Sequence, residues 1–523
     1  MPPEIYIASL DVGTTTVRCF ILDSKLREKG SSTELIELIS PQPGYFEINP
    51  DKLWRSVIAV ISTAIKNANL TPAQITCLAI STQRCSFITW DKETDDYFHN
   101  FVTWKDLRAD SLVKKWNSGV ILNTINKISY VLYLFTRSKR FLAGAVLKMM
   151  NSQVTLRLLW QMQNNERLKV AIQRKTALFG TLDSWLLYKL RKGTNKEINV
   201  DHISDVTSCT ATGFYDPFTL SWASWAFSIF SIKAEMLPIV VDNSYKFGYV
   251  HETIFGTPIK IGASLSDSAA AMWGSHCFKE GDVKITLGTG SFLNLNTSSS
   301  CHASMHGLYP LVAWKFSGNK FDVDNLVYCV EGAANDTGTI INWAINLGFF
   351  DDPAKTSEIA ESVEDSDGVF FIPAFSGLGP PINDHQAATG FLGIRPTTTK
   401  AQLVRALLES IAFRVAQIYE CTVQETNYTL NCIKVDGGVS KNDFICQLLS
   451  DLTGLNVERG INSESSAFGA AYVAGINEDI WTMDDIHKFR QIGKLFLPRS
   501  ELKEKLVLKM KTWEKAVERF KGW

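Results

Sequence analysis

The sequence lacks most of the features that would assign the chain to a nucleic acid, a membrane or an oxidising compartment. Its formal net charge is -1 over 523 residues, so no charge excess indicates a nucleic-acid or acidic-membrane partner. The ten cysteines form no CxxC pair and show no regular spacing, which favours a reducing compartment. No basic, apolar leader opens the chain, and no apolar run reaches the ~18 residues of a membrane span. These absences predict a cytoplasmic protein with no membrane span.

Long or low-complexity linkers are also missing. With 45% hydrophobic and 20% charged residues, the chain has the composition of a folded protein long enough for two large domains. The most apolar region is "SYVLYLFTRSKRFLAGAVLKMM" (129–150), which we interpret as core helices. The basic cluster "RSKR" (137–140) inside it is interpreted as solvated helix ends rather than a binding patch.

The pattern of strands indicates an internal duplication. The first quarter predicts three antiparallel strands, then a helix and another strand, as in a mixed sheet covered by helices. A mostly helical stretch covers about 105–195, and a strand follows near 258–267. A second strand–turn–strand unit then appears in "GDVKITLGTGSFLNLNT" (281–297). We therefore predict two α/β halves with a nucleotide between them and a boundary near residue 275.

The first turn, in "LDVGTTTVRCFILD" (10–23), carries more polar groups than a hairpin needs. Backbone N–H groups and the hydroxyls of Thr14, Thr15 and Thr16 can converge on a phosphate tail. Asp11 ends the first strand and can hold Mg²⁺ through water, while Arg18 offers a charge for a phosphate or for a structural partner. The alternative is a structural hairpin with surface threonines.

Two glycine-containing turns follow in the second half. "LGTGSF" surrounds Thr289, and "VDGGVSKNDF" (436–444 with its preceding valine) joins a strand to a helix. Glycines such as Gly438 let the backbone approach adenine or ribose, and Asn442 near the helix start could hydrogen-bond that ligand. Taken alone, the first turn is a weak signal and the second is better explained as an ordinary strand–helix connection, but three such turns in this order favour nucleotide binding.

The order DxGTT, GTG, VDGG resembles the FGGY carbohydrate kinases, specifically the glycerol kinases. Similar motifs extend over nearly the whole chain, among them "PGYFEINPDKLW", "FGTLDSWLLYKL", "IPAFSGLGPP" and "FGAAYVAGI". The resemblance implies an α/β chain of two ribonuclease-H-like domains (actin/Hsp70/sugar-kinase type) with a nucleotide cleft between them. Residues 1–274 would carry the phosphate turn, the polyol site and the catalytic Asp, and residues 275–523 would bind the nucleotide. Closure of the domains would exclude water.

The same resemblance implies a role for each site residue. Asp267, in "SLSDSAAAMWG", would be the catalytic base, and it would also suit a helix N-cap. Asp11 would lie near Mg²⁺, and ATP would be the phosphoryl donor. The residues placed around the nucleotide are Thr14, Thr15, Thr16, Arg18, Thr289, Gly338, Asn342, Gly438 and Asn442. The residues placed around the polyol are Arg84, Cys85, Trp104, Asp267 and Phe292. The implied partner is a small polyol, with glycerol first, and family members often form homo-oligomers.

The polyol side departs from the family pattern at three positions. Cys85 replaces an expected carboxylate, Ser152 lies near the place of an expected Tyr, and Ser268 replaces a Gln. These changes leave open weak glycerol binding, a less polar alcohol, or a nucleotide-binding regulatory protein without turnover. A chaperone-like or filament-forming ATPase is disfavoured, because the chain has no peptide-binding extension.

One further cluster is the stretch "SCHASMHG", with His302 and His306 four residues apart and Cys301 adjacent. On a helix these residues could bind zinc. Surrounding Ser and Gly residues and the lack of an accompanying carboxylate predict no metal site here.

Overall fold

A computed structural model describes residues 4–195, 198–318, 320–430 and 432–523. The chain divides into two compact units. The first comprises Met1–Gly274, Leu311–Tyr328 and Ser466–Phe489, and the second comprises Ser275–Pro310, Cys329–Ser465 and Arg490–Trp523. None of the helices in the described part of the chain is both long and apolar enough to cross a membrane.

The first unit is built on a mixed six-stranded sheet. In spatial order its strands are Tyr249–Val250, Ile259–Ser266, Cys77–Thr82, Tyr6–Val12, Thr16–Asp23 and Glu28–Leu35. The last three are antiparallel, whereas Ile259–Ser266 and Cys77–Thr82 run parallel to Tyr6–Val12. The prediction of a mixed sheet, with three antiparallel strands followed by a helix and another strand, is therefore confirmed.

Smaller sheets and many helices complete the first unit. A four-stranded sheet has the order Glu47–Ile48, Phe101–Val102, Phe87–Asp91 and Ala177–Thr181. Two-stranded pairs join Tyr215–Asp216 to Ser221–Trp222 and Ile203–Asp205 to Ile239–Val241. The helices are Pro50–Asn67, Asp110–Asn117, Val120–Thr136, Lys139–Ala145, Val154–Asn164, Glu166–Arg174, Leu182–Lys192, Val206–Cys209, Ser224–Phe230, Glu252–Phe255, Asp267–Gly274 and Met483–Phe489. The helix Ser465–Asn477 and the strand Tyr309–Lys315 also lie mostly in this unit.

The interpretation of residues 129–150 as core helices is wrong. The segment is helical as Val120–Thr136 and Lys139–Ala145, but the side chains of Tyr130, Val131, Leu134 and Phe135 are exposed. Apolar residues in a helix are buried only where a neighbouring element packs against them, and no local sequence pattern shows whether one does. Arg137 ends the first helix in a left-handed conformation, so "RSKR" does lie at helix ends as predicted.

The second unit repeats the order of the first. Six strands of its sheet follow one another as Leu326–Ala334, Ser291–Asn296, Val283–Leu287, Cys432–Asp436, Asn456–Gly460 and Ile492–Phe496. Val283–Leu287 pairs antiparallel with Ser291–Asn296 and parallel with Cys432–Asp436, just as Tyr6–Val12 pairs with its hairpin partner and with Cys77–Thr82. The predicted duplication is thus visible in the strand order.

Helices cover the second sheet and close its core. They are Gly338–Asn346, Thr356–Glu361, Lys400–Thr426, Asp443–Thr453 and Ser500–Val517, with a strand pair Phe370–Ile372 and Gly390–Leu392. The long helix starts at a capping box formed by Thr399 and Gln402, and its buried face includes Leu408, Ile411 and Phe413. These side chains join Ile285 and Val435 of the sheet in one apolar core.

Candidate active site

Three parallel strands of the first unit end at the same sheet edge. Their register pairs Asp11 with Ser81, and Thr82 with both Val12 and Ser266. The residues that follow the strands are therefore brought to one edge, which is where ligands bind in open α/β sheets. Asp267 directly follows one such strand end, and Arg84 lies two residues beyond another.

Asp267 is the first residue of the helix Asp267–Gly274, and its side chain is 38% exposed. Its Oδ1 accepts a hydrogen bond from the Ser268 N–H at 2.7 Å and lies 3.6 Å from Arg84 Nε. Arg84 also donates from Nη2 to Ser268 Oγ at 2.9 Å. Ser268 thus fixes the guanidinium beside the carboxylate, and that carboxylate remains accessible to solvent.

The opening turn is a tight hairpin in which the Gly13 N–H donates to the Thr16 carbonyl. Asp11 and Arg18 lie opposite each other on the paired strands, so their side chains share one face of the sheet. The Ser81 hydroxyl donates to Asp11 Oδ1 at 2.8 Å and holds the carboxylate at the edge. Thr15 is exposed. Carboxylate and hydroxyl oxygens are hard ligands, so this donor set fits Mg²⁺ and its bound water.

Thr14 joins the predicted phosphate turn to the predicted polyol residues. Trp104 Nε1 donates to Thr14 Oγ1 at 3.0 Å, and Thr14 Oγ1 donates to Gln83 Oε1 at 3.2 Å. Lys105 Nζ lies 5.2 Å from the centre of the Trp104 ring. Sequence reasoning did not select Gln83, although its position one residue before Arg84 in "STQR" was visible.

Cys85 and Ser152 lie on either side of Arg157, a residue that sequence reasoning missed. Arg157 is fully buried, and its Nη2 donates to the carbonyls of Cys85 and Ser152, both at 2.8 Å. Burial lowers the pKa of Arg157 to about 10. The Cys85 thiol donates to the Ala211 carbonyl, with a separation of 3.1 Å. The structure therefore brings together two of the three positions at which the predicted polyol side differs from the expected pattern.

A buried pair of carboxylates supports the strand that leads to Asp267. Asp205 accepts from the N–H groups of Thr207 and Ser208 and from the Thr207 hydroxyl, and that hydroxyl accepts from the Ser266 N–H at 2.8 Å. Asp183 Oδ2 accepts from Ser204 Oγ at 2.6 Å and from the Asp205 N–H at 3.0 Å. Both carboxylates are fully buried, and the pKa of Asp205 rises to about 8 because of burial and, second, the charge of Asp183.

This raised pKa predicts a pH-dependent stability. The native state keeps a proton that an unfolded Asp has lost above pH ~4, so the free energy of unfolding falls as pH rises from about 4 to about 8. Asp183→Asn removes the neighbouring charge and is expected to reduce the drop in Tm between pH 5 and pH 8, by about 1–2 °C for each kcal/mol recovered in a unit of this size. Ser204→Ala, which removes a hydrogen bond but no charge, is the control. Equal pH slopes for wild type and Asp183→Asn would contradict this account.

The predicted nucleotide turns meet within the second unit. The Gly338 N–H donates to the Gly288 carbonyl at 3.0 Å, and the Thr337 N–H donates to the Thr289 carbonyl at 3.1 Å. A Cβ on Gly338 would lie 2.8 Å from the Gly288 oxygen, and one on Gly437, where φ is 86°, would lie 2.6 Å from the Leu287 oxygen. Glycine is required at both positions, because the turns approach each other along the backbone.

Several features at this edge fit a flat, polar ligand. A Cβ placed on Gly438 would have no atom within 4 Å, so the backbone there is open to approach. Asp436 is buried, and its Oδ1 makes no hydrogen bond within the described residues. Asn342 is exposed, one turn into the helix that Gly338 begins, and Phe292 is half-buried on the strand after the Thr289 turn.

Asn442 caps the helix Asp443–Thr453. Its Oδ1 accepts from the Ile445 N–H at 2.9 Å, and its Nδ2 donates to Thr356 Oγ1 at 2.8 Å. Both ends of the side-chain amide have protein partners, so the predicted contact of Asn442 with the nucleotide would have to share or replace one of them. That contact stays a prediction.

The histidine cluster differs from its predicted setting in two ways. Residues 301–306 form a loop rather than a helix, and a carboxylate is present, since the long helix supplies Glu425. Glu425 Oε1 accepts from the N–H groups of Met305 and His306 and lies 2.7 Å from His306 Nδ1. His306, Cys421 and Glu425 offer ligand atoms within 4.8 Å of one another. The Glu425 carboxylate thus holds the loop through these hydrogen bonds, and the absence of a metal site stays a prediction.

Comparison with known families and relatives shows which family the chain belongs to. Residues 6–274 match the FGGY family of carbohydrate kinases, N-terminal domain, and residues 283–478 match the C-terminal domain of the same family. The chain is 43% identical to "Glycerol kinase 5" of Danio rerio, over 99% of this chain and 97% of that protein. It is 32% identical to "Glycerol kinase 2" of Thermotoga maritima, over 99% of each chain.

Solved structures agree on the fold. The chain resembles a Plasmodium falciparum glycerol kinase with ADP, with a TM-score of 0.84, 29% identity and coverage of 99% of this chain and 98% of that one. A xylulose kinase from Lactobacillus acidophilus has a TM-score of 0.78 at 20% identity, with coverage of 99% and 97%, and shows the fold alone. This chain therefore belongs to the FGGY family of carbohydrate kinases and has the two-domain fold of that family, with glycerol kinases among its relatives.

Proposed function

We propose that the protein transfers the γ-phosphoryl group of ATP to a hydroxyl of glycerol, giving glycerol 3-phosphate, or to a related small polyol in the cytoplasm. The observation that supports this most directly is the exposed Asp267 carboxylate, which lies 3.6 Å from Arg84 Nε at the carboxyl ends of three parallel strands. The similarity to glycerol kinases, including one solved with ADP, supports the same choice of donor and acceptor.

In this proposal Asp267 accepts the proton of the attacking hydroxyl. Arg84 orients the carboxylate and the acceptor, because it reaches both Asp267 and Ser268. Trp104 bounds the acceptor site and, through its hydrogen bond to Thr14, ties that site to the phosphate turn. Phe292 and Cys85 would contact the less polar part of the acceptor.

The nucleotide residues divide between the two glycine-containing turns and the opening hairpin. Bound ATP would supply the phosphoryl group, and Mg²⁺ would neutralise charge on its phosphates. Asp11 would hold the metal through water, with Arg18 on the same face of the sheet. The residues proposed to bind the nucleotide are Thr14, Thr15, Thr16, Arg18, Thr289, Gly338, Asn342, Gly438 and Asn442. We propose residues 1–274 as the acceptor domain, residues 275–523 as the nucleotide domain, and a homo-oligomeric assembly of the chain.

A second candidate function is a nucleotide-binding regulatory protein with little or no turnover. The observation that favours it is the uncharged side chain at Cys85, whose thiol is occupied by the Ala211 carbonyl. The presence of both Asp11 and Asp267 favours catalysis instead, since regulation by ATP binding alone does not require a base.

Two measurements on the purified protein separate these functions. Calorimetric titration with ATP and Mg²⁺ reports binding, and ³¹P NMR of a reaction with ATP, Mg²⁺ and glycerol identifies any phosphorylated product. The kinase proposal expects both binding and glycerol 3-phosphate. Binding without product from glycerol or from a panel of other polyols would establish the regulatory function instead.

A further inference from the structure

The helical hairpin formed by Val120–Thr136 and Lys139–Ala145 exposes an apolar surface that the proposed kinase function does not use. Val120 is 80% exposed and Phe135 83%, whereas most apolar residues of this unit are buried. Five exposed apolar side chains fall on one face of the first helix, at spacings of three, four and seven: Ile121, Ile128, Val131, Leu132 and Phe135. We call these five residues the stripe.

The hairpin is held against the unit by its opposite face. On that face Leu122 is buried, and Asn126 Nδ2 donates to the Leu147 carbonyl at 3.3 Å. Beside the hairpin, Asn117 of the preceding helix donates from Nδ2 to the Met149 carbonyl at 2.9 Å. The stripe therefore points outward because the other side of the helix is already committed to packing. The helix is about 25 Å long at ~1.5 Å per residue, and the stripe follows most of that length.

The segment that contains the hairpin carries charged side chains of one sign only. Between Asp110 and Glu166 the sequence contains no acidic residue. It contains eight basic residues in that interval, namely Lys114, Lys115, Lys127, Arg137, Lys139, Arg140, Lys148 and Arg157. Arg157 is buried, Lys114 pairs with Asp110 at 2.9 Å, and Arg140 pairs with Asp216 at 2.8 Å. Lys115, Lys127, Arg137, Lys139 and Lys148 are exposed.

We propose that this hairpin lies on the surface of an anionic phospholipid bilayer, with the stripe at the acyl boundary and the surrounding Lys and Arg side chains among the headgroups. An amphipathic helix with an apolar face, aromatic residues and basic flanks binds lipid in this way. The proposal is independent of the kinase activity, since it uses none of the residues assigned to ATP or polyol.

Two other occupants fit the surface less well. A second copy of the chain would bring two basic hairpins together and repel itself. An acidic protein would match the charge, but peptides with apolar anchors dock into grooves, whereas the stripe runs along the outer face of a single helix. A lipid surface satisfies the charge and the convex apolar shape together.

Flotation with vesicles of phosphatidylcholine alone, or with 30 mol% phosphatidylserine, tests the proposal on the full chain. We expect binding to the phosphatidylserine vesicles in 0.1 M salt and much weaker binding to the neutral vesicles or in 0.5 M salt. The double variant Ile128→Ser/Phe135→Ser should lower the partition coefficient at least tenfold. Lys127→Glu/Lys148→Glu should lower it for anionic vesicles only. The matched control is Ile239→Ser/Leu508→Ser, which removes two apolar side chains that are 65% and 67% exposed elsewhere.

Unchanged ATP binding by calorimetry and unchanged Tm would show that each variant is folded. Three results would overturn the proposal. The first is absence of wild-type binding to anionic vesicles, and the second is equal loss in the stripe and control variants. The third is an association that the Ile128→Ser/Phe135→Ser variant abolishes. It would be either self-association of the protein without lipid, or binding to soluble polyglutamate without binding to vesicles. That result would assign the stripe to a second copy or to an acidic protein.

Discussion

Asp267→Asn is expected to reduce phosphoryl transfer by about 10²–10⁴-fold while leaving ATP binding intact. The amide keeps the size of the carboxylate and can still accept from the Ser268 N–H, but it cannot take the proton of the attacking hydroxyl. The measurement is kcat for ATP-dependent product formation, beside a calorimetric titration of the variant with ATP and Mg²⁺.

Asp110→Asn is a close structural control for this substitution. Asp110 is also the first residue of a helix, and its side chain is 39% exposed, compared with 38% for Asp267. It pairs with Lys114 instead of facing the strand ends, so its removal should leave kcat within about twofold. Full activity in Asp267→Asn would show that Asp267 is not the base. Loss of ATP binding would show that the substitution disturbs the structure of the site.

Cys85→Glu is expected to improve the use of glycerol. A hydrogen bond from a polyol hydroxyl to a charged acceptor contributes about 1.5–3 kcal/mol, which corresponds to a tenfold to hundredfold lower KM for glycerol. Cys85 is half-buried beside the proposed acceptor residues, and Arg84 precedes it directly in the chain. Initial rates over a wide glycerol range give the KM and separate it from kcat.

Cys85→Gln is the matched control, because it has the shape of Glu without the charge. Cys85→Gln should lower the KM for glycerol by less than Cys85→Glu does. A different outcome is expected if the new carboxylate pairs with Arg157 instead of the acceptor. Arg157 is fully buried, and its Nη2 lies 2.8 Å from the Cys85 carbonyl. In that case Cys85→Glu raises Tm without lowering the KM. No change in either KM or Tm would count against placing the acceptor at Cys85.

The backbone of the site could be predicted from the sequence, because it depends on local signals. A strand, a turn rich in Gly and Thr, and a second strand are visible in residues 10–23 and again in 281–297. The glycines at Gly338 and Gly437 mark close approaches of the backbone that no larger residue permits.

The side-chain contacts of the site could not be predicted, because they join residues far apart in the chain. Trp104 and Thr14 are 90 residues apart, and Arg84 and Ser268 are 184 apart. The carboxylate that accompanies His306 comes from Glu425, 119 residues away, so the local sequence could not reveal it. The surface hairpin was misjudged for a related reason. An apolar composition predicts that a helix face is buried, but it does not show whether another element of the same chain packs against that face.

The most direct test of the account is the initial rate of ATP-dependent glycerol 3-phosphate formation, measured from micromolar to near-molar glycerol with saturating ATP and Mg²⁺. The account predicts a saturable rate that depends on Asp267, with a KM for glycerol that falls at least tenfold in Cys85→Glu. A protein that binds ATP yet forms no glycerol 3-phosphate at any glycerol concentration would contradict it.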